Sequence, residues 1–200
     1  LSEKHLDLYG NMGFVFLISN FITMDPRIKK LLQYGSYEYS IIEHDHKYIK
    51  SRNPAVYNDF IAPYDHVINH DFYKNAKCVF CQSVKHAEVL KENLKIDNVI
   101  NLGCSLWSKQ QIETIKGSPV SKNDKAFIIG DPNPIKGLSE SISYCKNNSI
   151  DFDVIEKCDY NDFIKQLAMY HKFVFFPKTL ESFCRVVVEA RMLGCKLITN

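Results

Sequence analysis

The chain has 200 residues, of which 46% are hydrophobic and 24% charged, a composition typical of a globular protein with a buried core. Its formal net charge of +2 is close to neutral and its Lys and Arg residues are scattered, which argues against a nucleic-acid partner. No apolar run approaches the roughly 18 residues that a membrane span needs.

Short apolar runs alternate with helical stretches in the first half of the chain. Strands are predicted over 13–19, 39–43, 77–81 and 98–102. A helix is predicted over Pro26–Tyr34, because Asp25 can cap it, proline suits its first position and Gly35 can end it. Further helices are predicted over 58–74, with a kink at Pro63, and over 84–94, with Ser83 as the cap.

Residues 106–124 are polar, contain Gly117 and Pro119 and hold no strand-like run, which predicts a linker with a short helix near 109–115. The alternation then resumes. Strands are predicted over 126–129, 152–155, 173–176 and 196–199, and helices over 136–146, 161–170 and 183–193. This order predicts βαβ units with parallel sheets, in an N-terminal domain (1–105) and a C-terminal domain (125–200).

In such sheets, ligands bind beyond the carboxyl ends of the strands, where helix N-termini point. Polar residues follow a predicted strand in three places, 44–47, 130–137 and 177–189. Functional residues are therefore expected in these three segments.

The third segment contains Glu181, just before a predicted helix, and Glu189, eight residues further on. Eight helical residues make roughly 2.2 turns and separate two side chains by about 12 Å along the axis. Direct acid–base partnership is therefore not expected, whereas two hydrogen-bonding tasks on one elongated ligand fit this spacing, with a diphosphate at the helix start. The alternative is an amphipathic helix with two surface carboxylates.

This segment closely resembles the E-x7-E signature of the retaining GT-B glycosyltransferases often called family 4. The matching positions are Pro177, Glu181, Phe183, Glu189, Ala190 and Gly194. The resemblance implies that Glu181 is a catalytic residue that contacts hydroxyls of the donor sugar, and that Glu189 binds the ribose. It also implies that Ser182, Phe183 and Cys184 bind the donor, with the backbone amides of Phe183 and Cys184 facing the phosphates.

The second segment resembles the family's Gly–Arg–x4–Lys–Gly loop. Gly130, Lys136 and Gly137 match it as donor-binding residues, and the resemblance implies that Lys136 neutralises the diphosphate. Asp131 stands where the family has arginine. Either its carboxylate points away from the diphosphate, or donor binding is weakened or altered. The alternative interpretation of this motif, taken alone, is that Lys136 is a solvated lysine in a proline-rich turn.

The first segment offers His44, which resembles the family's histidine that hydrogen-bonds the transferring sugar and is therefore a predicted catalytic residue. A metal is the alternative, because His44 and His46 would share a face of an extended strand. His66 and His70 are spaced for zinc on the predicted 58–74 helix, although a surface or core-edge helix face is the simpler interpretation. The family generally works without a metal, so none is expected.

The seven cysteines are odd in number and match no small disulfide framework, which favours a reducing, cytoplasmic setting. Cys78 and Cys81 form a Cys-x-x-Cys pair in an apolar run. No second pair follows at zinc-finger spacing, so buried apolar thiols are expected rather than a metal or redox site.

The resemblance, which covers about residues 37–200, implies a GT-B fold of two facing Rossmann-like α/β domains, both incomplete. It implies a retaining, hexosyltransferase-type glycosyltransferase that moves a sugar from a nucleoside diphosphate donor to a hydroxyl of a glycan, lipid or other acceptor, without a further cofactor. We expect a cytoplasmic enzyme, with association at the membrane surface left open. The rivals are a sugar-nucleotide epimerase and a non-catalytic GT-B-like module that binds a sugar nucleotide or a protein.

Overall fold

The computed structural model describes residues 2–118 and 121–200, and the chain divides into two compact units, Leu1–Cys104 and Ser105–Asn200. Pro119, one of the residues that predicted the linker, lies outside the described residues. No helix in the described part of the chain is long and apolar enough to cross a bilayer.

The first unit is a four-stranded parallel sheet with strand order β1-β2-β3-β4. Its elements, in chain order, are α1 (Glu3–Asn11), β1 (Phe16–Ile18), α2 (Pro26–Tyr34), β2 (Tyr39–Glu43), α3 (His70–Lys74), β3 (Val79–Cys81), α4 (Val84–Leu94) and β4 (Val99–Asn101). The predicted caps of α2 and α4 are present: Asp25 accepts a hydrogen bond from the amide of Arg27, and Ser83 accepts one from the amide of His86.

The predicted helix over 58–74 is wrong except for its last turn. The segment contains two 3₁₀ turns, Asn58–Phe60 and Tyr64–His66, before α3. Asp59, Phe60 and Asn69 have φ values of 52°, 63° and 58°, a left-handed backbone that interrupts any helix. Helix α1 was not predicted, because its only buried residue is Leu6 and its sequence has no apolar stripe.

The second unit is also a four-stranded parallel sheet, with order β6-β5-β7-β8. Its elements, in chain order, are α5 (Lys109–Lys116), β5 (Asn123–Gly130), α6 (Leu138–Asn147), β6 (Phe152–Glu156), α7 (Tyr160–Ala168), β7 (Tyr170–Val174), α8 (Arg185–Met192) and β8 (Lys196–Ile198). The predicted linker, 106–124, falls within this unit. A capping box of Ser108 and Gln111 starts α5, and this helix packs against α7.

The sheet of the second unit is buried on both faces. One face carries Phe127, Phe173 and Phe175, and the other carries Ala126, Ile128 and Val174. Alternate residues of one strand point to opposite faces, so near-continuous apolar strands are what a doubly covered parallel sheet requires. Both units are Rossmann-like, as the alternation of strands and helices predicted.

Candidate functional site

The strand order of the second unit reverses at β5. Strand β6 lies on one side of β5 and β7 on the other, so the loops after β5 and β7 leave adjacent strands at their carboxyl ends. These loops carry two of the predicted donor-site segments, 130–137 and 177–184. Parallel α/β sheets bind ligands at such a switch point.

The two loops are in direct contact through backbone. The amide of Lys178 donates a hydrogen bond of 2.8 Å to the carbonyl of Ile135. Gly137 has a φ of 66°, and a Cβ there would lie 1.7 Å from the carbonyl oxygen of Phe176. Only glycine fits this position, because both the left-handed backbone and the contact exclude a side chain. Gly130 is also crowded, because a Cβ added there would lie 2.9 Å from the carbonyl oxygen of Ile155.

Lys136 and Glu181 form an ion pair across these loops, with 2.9 Å between Nζ and Oε1. Their side chains are 33% and 24% exposed, so the pair is accessible to a ligand. The structure thus brings together the residues predicted to bind the diphosphate and the sugar. The sequence did not predict that they contact each other, and each neutralises the other when no ligand is bound.

Asp131 is held by its own turn. Its Oδ1 accepts a hydrogen bond of 2.9 Å from the amide of Asn133, and Asn133 in turn accepts from the amide of Ile135. Such side-chain turns are a usual role for Asp and Asn. The carboxylate therefore has a local structural function that an arginine could not perform.

Helix α8 begins at Arg185, two residues later than predicted. Ser182 and Phe183 lie in the loop before it, and Cys184 is its N-cap residue without a side-chain capping bond. The helical spacing calculated between the two glutamates therefore does not apply, because the loop that holds Glu181 extends to Cys184. Burial, with the Glu181 charge adding to it, raises the pKa of the Cys184 thiol to about 11, so Cys184 is not a thiolate at neutral pH.

Glu189 is buried, with 4% of its surface exposed. Its Oε1 accepts hydrogen bonds of 2.9 Å from the indole N–H of Trp107 and 3.1 Å from the hydroxyl of Tyr160. Nη2 of Arg185 lies 3.6 Å from the same oxygen. We refer to these four residues as the Glu189 cluster. The sequence indicated Glu189 but none of its partners, since Trp107 is 82 residues away.

A cavity of about 360 Å³ lies beside this site, at the carboxyl ends of β5 and β6. Gly130, Asp131, Glu156, Lys157 and Phe163 are among the residues that line it. Its volume falls within the usual range for small-molecule sites. Because Gly130 belongs to both the cavity wall and the loop that ends in Lys136, the two features are continuous along one segment of backbone.

In the first unit, a buried ion pair supports the loop that carries His44. Nζ of Lys47 lies 3.2 Å from Oε1 of Glu43, and both side chains are inaccessible to solvent. Glu43 also accepts hydrogen bonds from the hydroxyl of Tyr73 and the amide of Asp45. Burial alone would raise the pKa of Glu43, but the Lys47 ammonium and these hydrogen bonds hold it below its usual value.

His44 follows this glutamate and is partly exposed, with Nε2 3.9 Å from the Asp45 carboxylate. His46 does not share a strand face with it, so that expectation is wrong. Strand β2 ends at Glu43, and His46 has a φ of 52°, is buried and lies 3.0 Å from the Tyr48 hydroxyl through Nδ1.

The proposed zinc pair of His66 and His70 is also wrong in its geometry, because the two residues are not on one helix. His66 contacts the hydroxyl of Tyr57, and His70 contacts Asp71 and the carbonyl of Leu94. Within residues 2–118 and 121–200, no group of three or more His, Cys, Asp or Glu side chains is placed to hold a metal ion.

The Cys-x-x-Cys pair provides a buried thiol. Cys81 is fully buried in the core of the first unit, and this burial raises its pKa to about 12. A thiol of this kind does not form the thiolate that metal binding and disulfide exchange require. Both cysteines of the pair are free.

We expect the buried His86 side chain to make the first unit sensitive to acid. It is fully buried, and neither ring nitrogen has a hydrogen-bond partner among the described residues. Burial, reinforced by the charge of His46, lowers its pKa to about 3, and Glu43, Lys47 and His44 also act on the ring. The unfolded chain takes up this proton near pH 6.5. The stabilisation is therefore complete above pH 6.5 and is lost as the pH falls towards 3.

We expect this single residue to cost about 2 kcal/mol of unfolding free energy between pH 7.5 and pH 5. Urea unfolding of the wild type and of His86→Phe at the two pH values measures the effect. The variant should lose less stability on acidification by about that amount. An identical loss in both proteins would mean that His86 does not control the acid response.

A second cavity, of about 760 Å³, lies in the first unit between α2, α3 and the end of α4. Its wall includes Lys29, Asn69, His70 and Leu94 and contains none of the residues predicted to bind the donor or to act in catalysis. The Lys29 ammonium donates to Asn69 and lies over the rings of Phe21 and Phe72. The predicted chemistry is thus separate from this cavity.

No family model and no curated protein matches the chain. Its fold is similar to that of an α,α-trehalose-phosphate synthase (UDP-forming) from Burkholderia vietnamiensis, with a TM-score of 0.57 and 8% identity over 82% of this chain and 54% of that one. It is also similar to a sucrose-phosphate synthase from Thermosynechococcus elongatus, with a TM-score of 0.53 and 12% identity over 85% of this chain and 52% of that one.

The chain spans about half the length of these two structures. At such low identity, the similarity establishes the fold and not the activity. Both neighbours are GT-B proteins, and the two Rossmann-like units with parallel sheets correspond to that architecture. The chain therefore has the GT-B type of α/β fold that the sequence predicted.

Proposed function

We propose that the chain belongs to a retaining glycosyltransferase that uses a nucleoside diphosphate sugar as its donor. The observation that carries the proposal is the Lys136–Glu181 ion pair, which lies at the switch point of a Rossmann-like sheet on two loops held together at Gly137. A cation and a carboxylate side by side suit a donor whose diphosphate is anionic and whose sugar carries hydroxyls. One of the two structural neighbours is a UDP-forming synthase.

In the proposed reaction, the bond between the anomeric carbon and the diphosphate oxygen breaks, and the nucleoside diphosphate leaves with the electron pair. The acceptor hydroxyl bonds to the same carbon on the same face, and its proton passes to the oxygen of the departing diphosphate. Lys136 stabilises the charge that develops on the leaving group, which is the kind of term that contributes most to many enzymes. Glu181 exchanges its lysine partner for sugar hydroxyls and orients the ring.

The remaining predicted residues have subsidiary roles in this scheme. The loop residues Ser182, Phe183 and Cys184 approach the phosphates, and Glu189 binds the ribose. His44 of the first unit hydrogen-bonds the transferring sugar. The acceptor in this proposal is a hydroxyl compound, such as a glycan or a lipid.

The second candidate is a non-catalytic module that binds a sugar nucleotide. The observation that favours it is the Asp131 carboxylate, which stands in the loop where the resemblance places a cation. The two candidates agree on donor binding and differ in turnover.

Calorimetric titration with UDP-, GDP- and ADP-sugars, followed by a donor-hydrolysis assay, tests the proposal. We expect one donor to bind and to be hydrolysed slowly in the absence of an acceptor. Binding without any turnover would favour the module. If none of the donors bound, both candidates would be rejected.

Trp107 provides an independent readout, since it is the only tryptophan and its indole donates to the predicted ribose-binding carboxylate. All three contacts of Glu189 are made to Oε1, so a ribose that binds this carboxylate must change the surroundings of the indole. We expect the nucleoside diphosphate that binds to shift the fluorescence of Trp107. Saturable binding by calorimetry with unchanged emission would place the ribose away from Glu189.

A further inference from the structure

The charges around the start of α8 do not balance those of a diphosphate. The site contains three carboxylates, Asp131, Glu181 and Glu189, and its predicted phosphate ligand Lys136 is already paired with one of them. Glu181 lies in the loop before this helix, with the Lys136 ammonium 2.9 Å away, and Glu189 lies 3.6 Å from Arg185, the first residue of the helix. A diphosphate brings at least two further negative charges, so a second cation at this position would favour its binding.

Arg185 is a cation at this position, as the first residue of α8. Its guanidinium lies over the ring of Trp107, with 5.2 Å from Cζ to the ring centroid. The side chain of a helical residue leans towards the helix N-terminus, so the first residue points its side chain to the end where the predicted phosphates lie. Lys178, another cation of the preceding loop, is held by Glu140 at 2.5 Å.

The hydrogen bonds of Arg185 are incomplete. Nε and Nη2 are buried, and neither has a hydrogen-bond partner among the described residues. Nη2 and Oε1 of Glu189 form an ion pair, but their separation of 3.6 Å is too long for a hydrogen bond. A guanidinium offers five N–H donors in a rigid fork, and buried donors without partners are costly. The side chain as a whole is 40% exposed although Nε and Nη2 are not, so the guanidinium must turn to present these two donors to an anion.

We infer that Arg185 is a second phosphate-binding residue and that it supplies the cation that Asp131 does not. This inference rests on the proposed function. The fork of Arg185 contacts the diphosphate of the donor while Trp107 supports its flat face, and Lys136 contacts the same diphosphate from the loop after β5. Phosphate is the ligand that this geometry suits, because a guanidinium can bind two of its oxygens at once.

The test compares Arg185→Gln with the wild type, using UDP, GDP and ADP and the three corresponding nucleosides as probes. Calorimetry measures the binding affinity of the diphosphates, and ligand-observed NMR measures that of the nucleosides. We expect Arg185→Gln to weaken the bound nucleoside diphosphate about 10- to 100-fold, as loss of a charged hydrogen bond does, and to leave its nucleoside within about 2-fold. Arg191→Gln, on the exposed end of the same helix, is the matched control and should bind like the wild type.

A rescue variant makes the test specific. In Arg185→Gln, the additional change Asp131→Arg returns a cation to the loop after β5, and we expect it to recover most of the lost diphosphate affinity. A variant that had only disturbed the packing on Trp107 would not be rescued in this way. If Arg185→Gln does not fold, as judged by circular dichroism, Arg185→Lys replaces it. We expect this variant to lose at least about 3-fold in affinity for the diphosphate and not for the nucleoside, because an ammonium group lacks the forked N–H donors of a guanidinium.

Three outcomes would overturn the inference. If the substituted protein binds the diphosphate as tightly as the wild type, Arg185 does not contact it. An equal loss for nucleoside and diphosphate would mean that Arg185 acts through Glu189 on the ribose. In both cases the proposed donor binding stands, because the wild type binds the diphosphate, and the turnover assay still decides between the enzyme and the module. Failure of the wild type to bind any of the three diphosphates would reject the proposed function together with this inference.

Discussion

Replacing Lys136 with alanine is expected to lower kcat/KM for the donor by about 10²- to 10³-fold, the usual cost of removing one group that stabilises a leaving anion. The effect should exceed the loss of an ordinary surface lysine for two reasons. The ammonium of Lys136 is only 33% exposed, and its removal leaves the Glu181 carboxylate unpaired next to the diphosphate. Repulsion from that carboxylate then adds to the lost attraction.

The change in kcat/KM is measured by donor hydrolysis or sugar transfer, using the donor that titration identifies. Lys165→Ala is the control, because Lys165 lies on α7 with 63% of its side chain exposed and only a 3.8 Å contact to Asp162. We expect this control to stay within about 2-fold of the wild type, in line with an exposed pair. A Lys136→Ala protein that retains kcat/KM within about 3-fold would remove the main support for the proposed function.

Glu181→Ala tests the other member of the pair and should act differently. Its removal frees Lys136, so binding of a bare nucleoside diphosphate should not weaken, while transfer of the sugar should fall. Titration of the variant with nucleoside diphosphate and with donor separates the two effects. Equal weakening of both ligands would show that Glu181 serves only to position Lys136.

Local signals predicted those parts of the fold whose cause is local. The span of α2 was predicted correctly because Asp25, Pro26 and Gly35 mark its two ends within the sequence itself. The helix over 58–74 was predicted wrongly because nothing in the sequence marks the left-handed backbone of Asp59 or Asn69, which depends on contacts made elsewhere. Single residues with a left-handed backbone leave no periodic pattern of apolar residues in the sequence.

The candidate site shows the same division. The sequence predicted that functional residues lie just after strands. It predicted neither the strand order nor the contact between Lys136 and Glu181, which are 45 residues apart. The partners of Glu189 could not be predicted, because Trp107 lies in a polar stretch that predicted a linker. A sequence pattern indicates where a carboxylate stands along the chain and not which distant group binds it.

Replacing Gly137 with alanine is expected to destabilise the second unit by about 4 kcal/mol or more, which is a large part of the stability of a typical domain. Two costs add. A left-handed backbone with φ of 66° costs about 1–2 kcal/mol for a residue with a Cβ. In addition, that Cβ would lie 1.7 Å from the carbonyl oxygen of Phe176, so backbone and not a flexible side chain would have to move.

Gly194→Ala separates the two costs. Gly194 belongs to the same unit and has a φ of 75°, but the nearest atom to its ideal Cβ is the side-chain Cε of Lys122 at 3.8 Å. This variant should therefore show only the backbone cost of about 1–2 kcal/mol. Urea unfolding of both variants measures the difference, which we expect to exceed about 2 kcal/mol. Equal losses would mean that the loop after β5 relaxes away from Phe176 at little cost, and the contact between the two loops would then not fix the distance between Lys136 and Glu181.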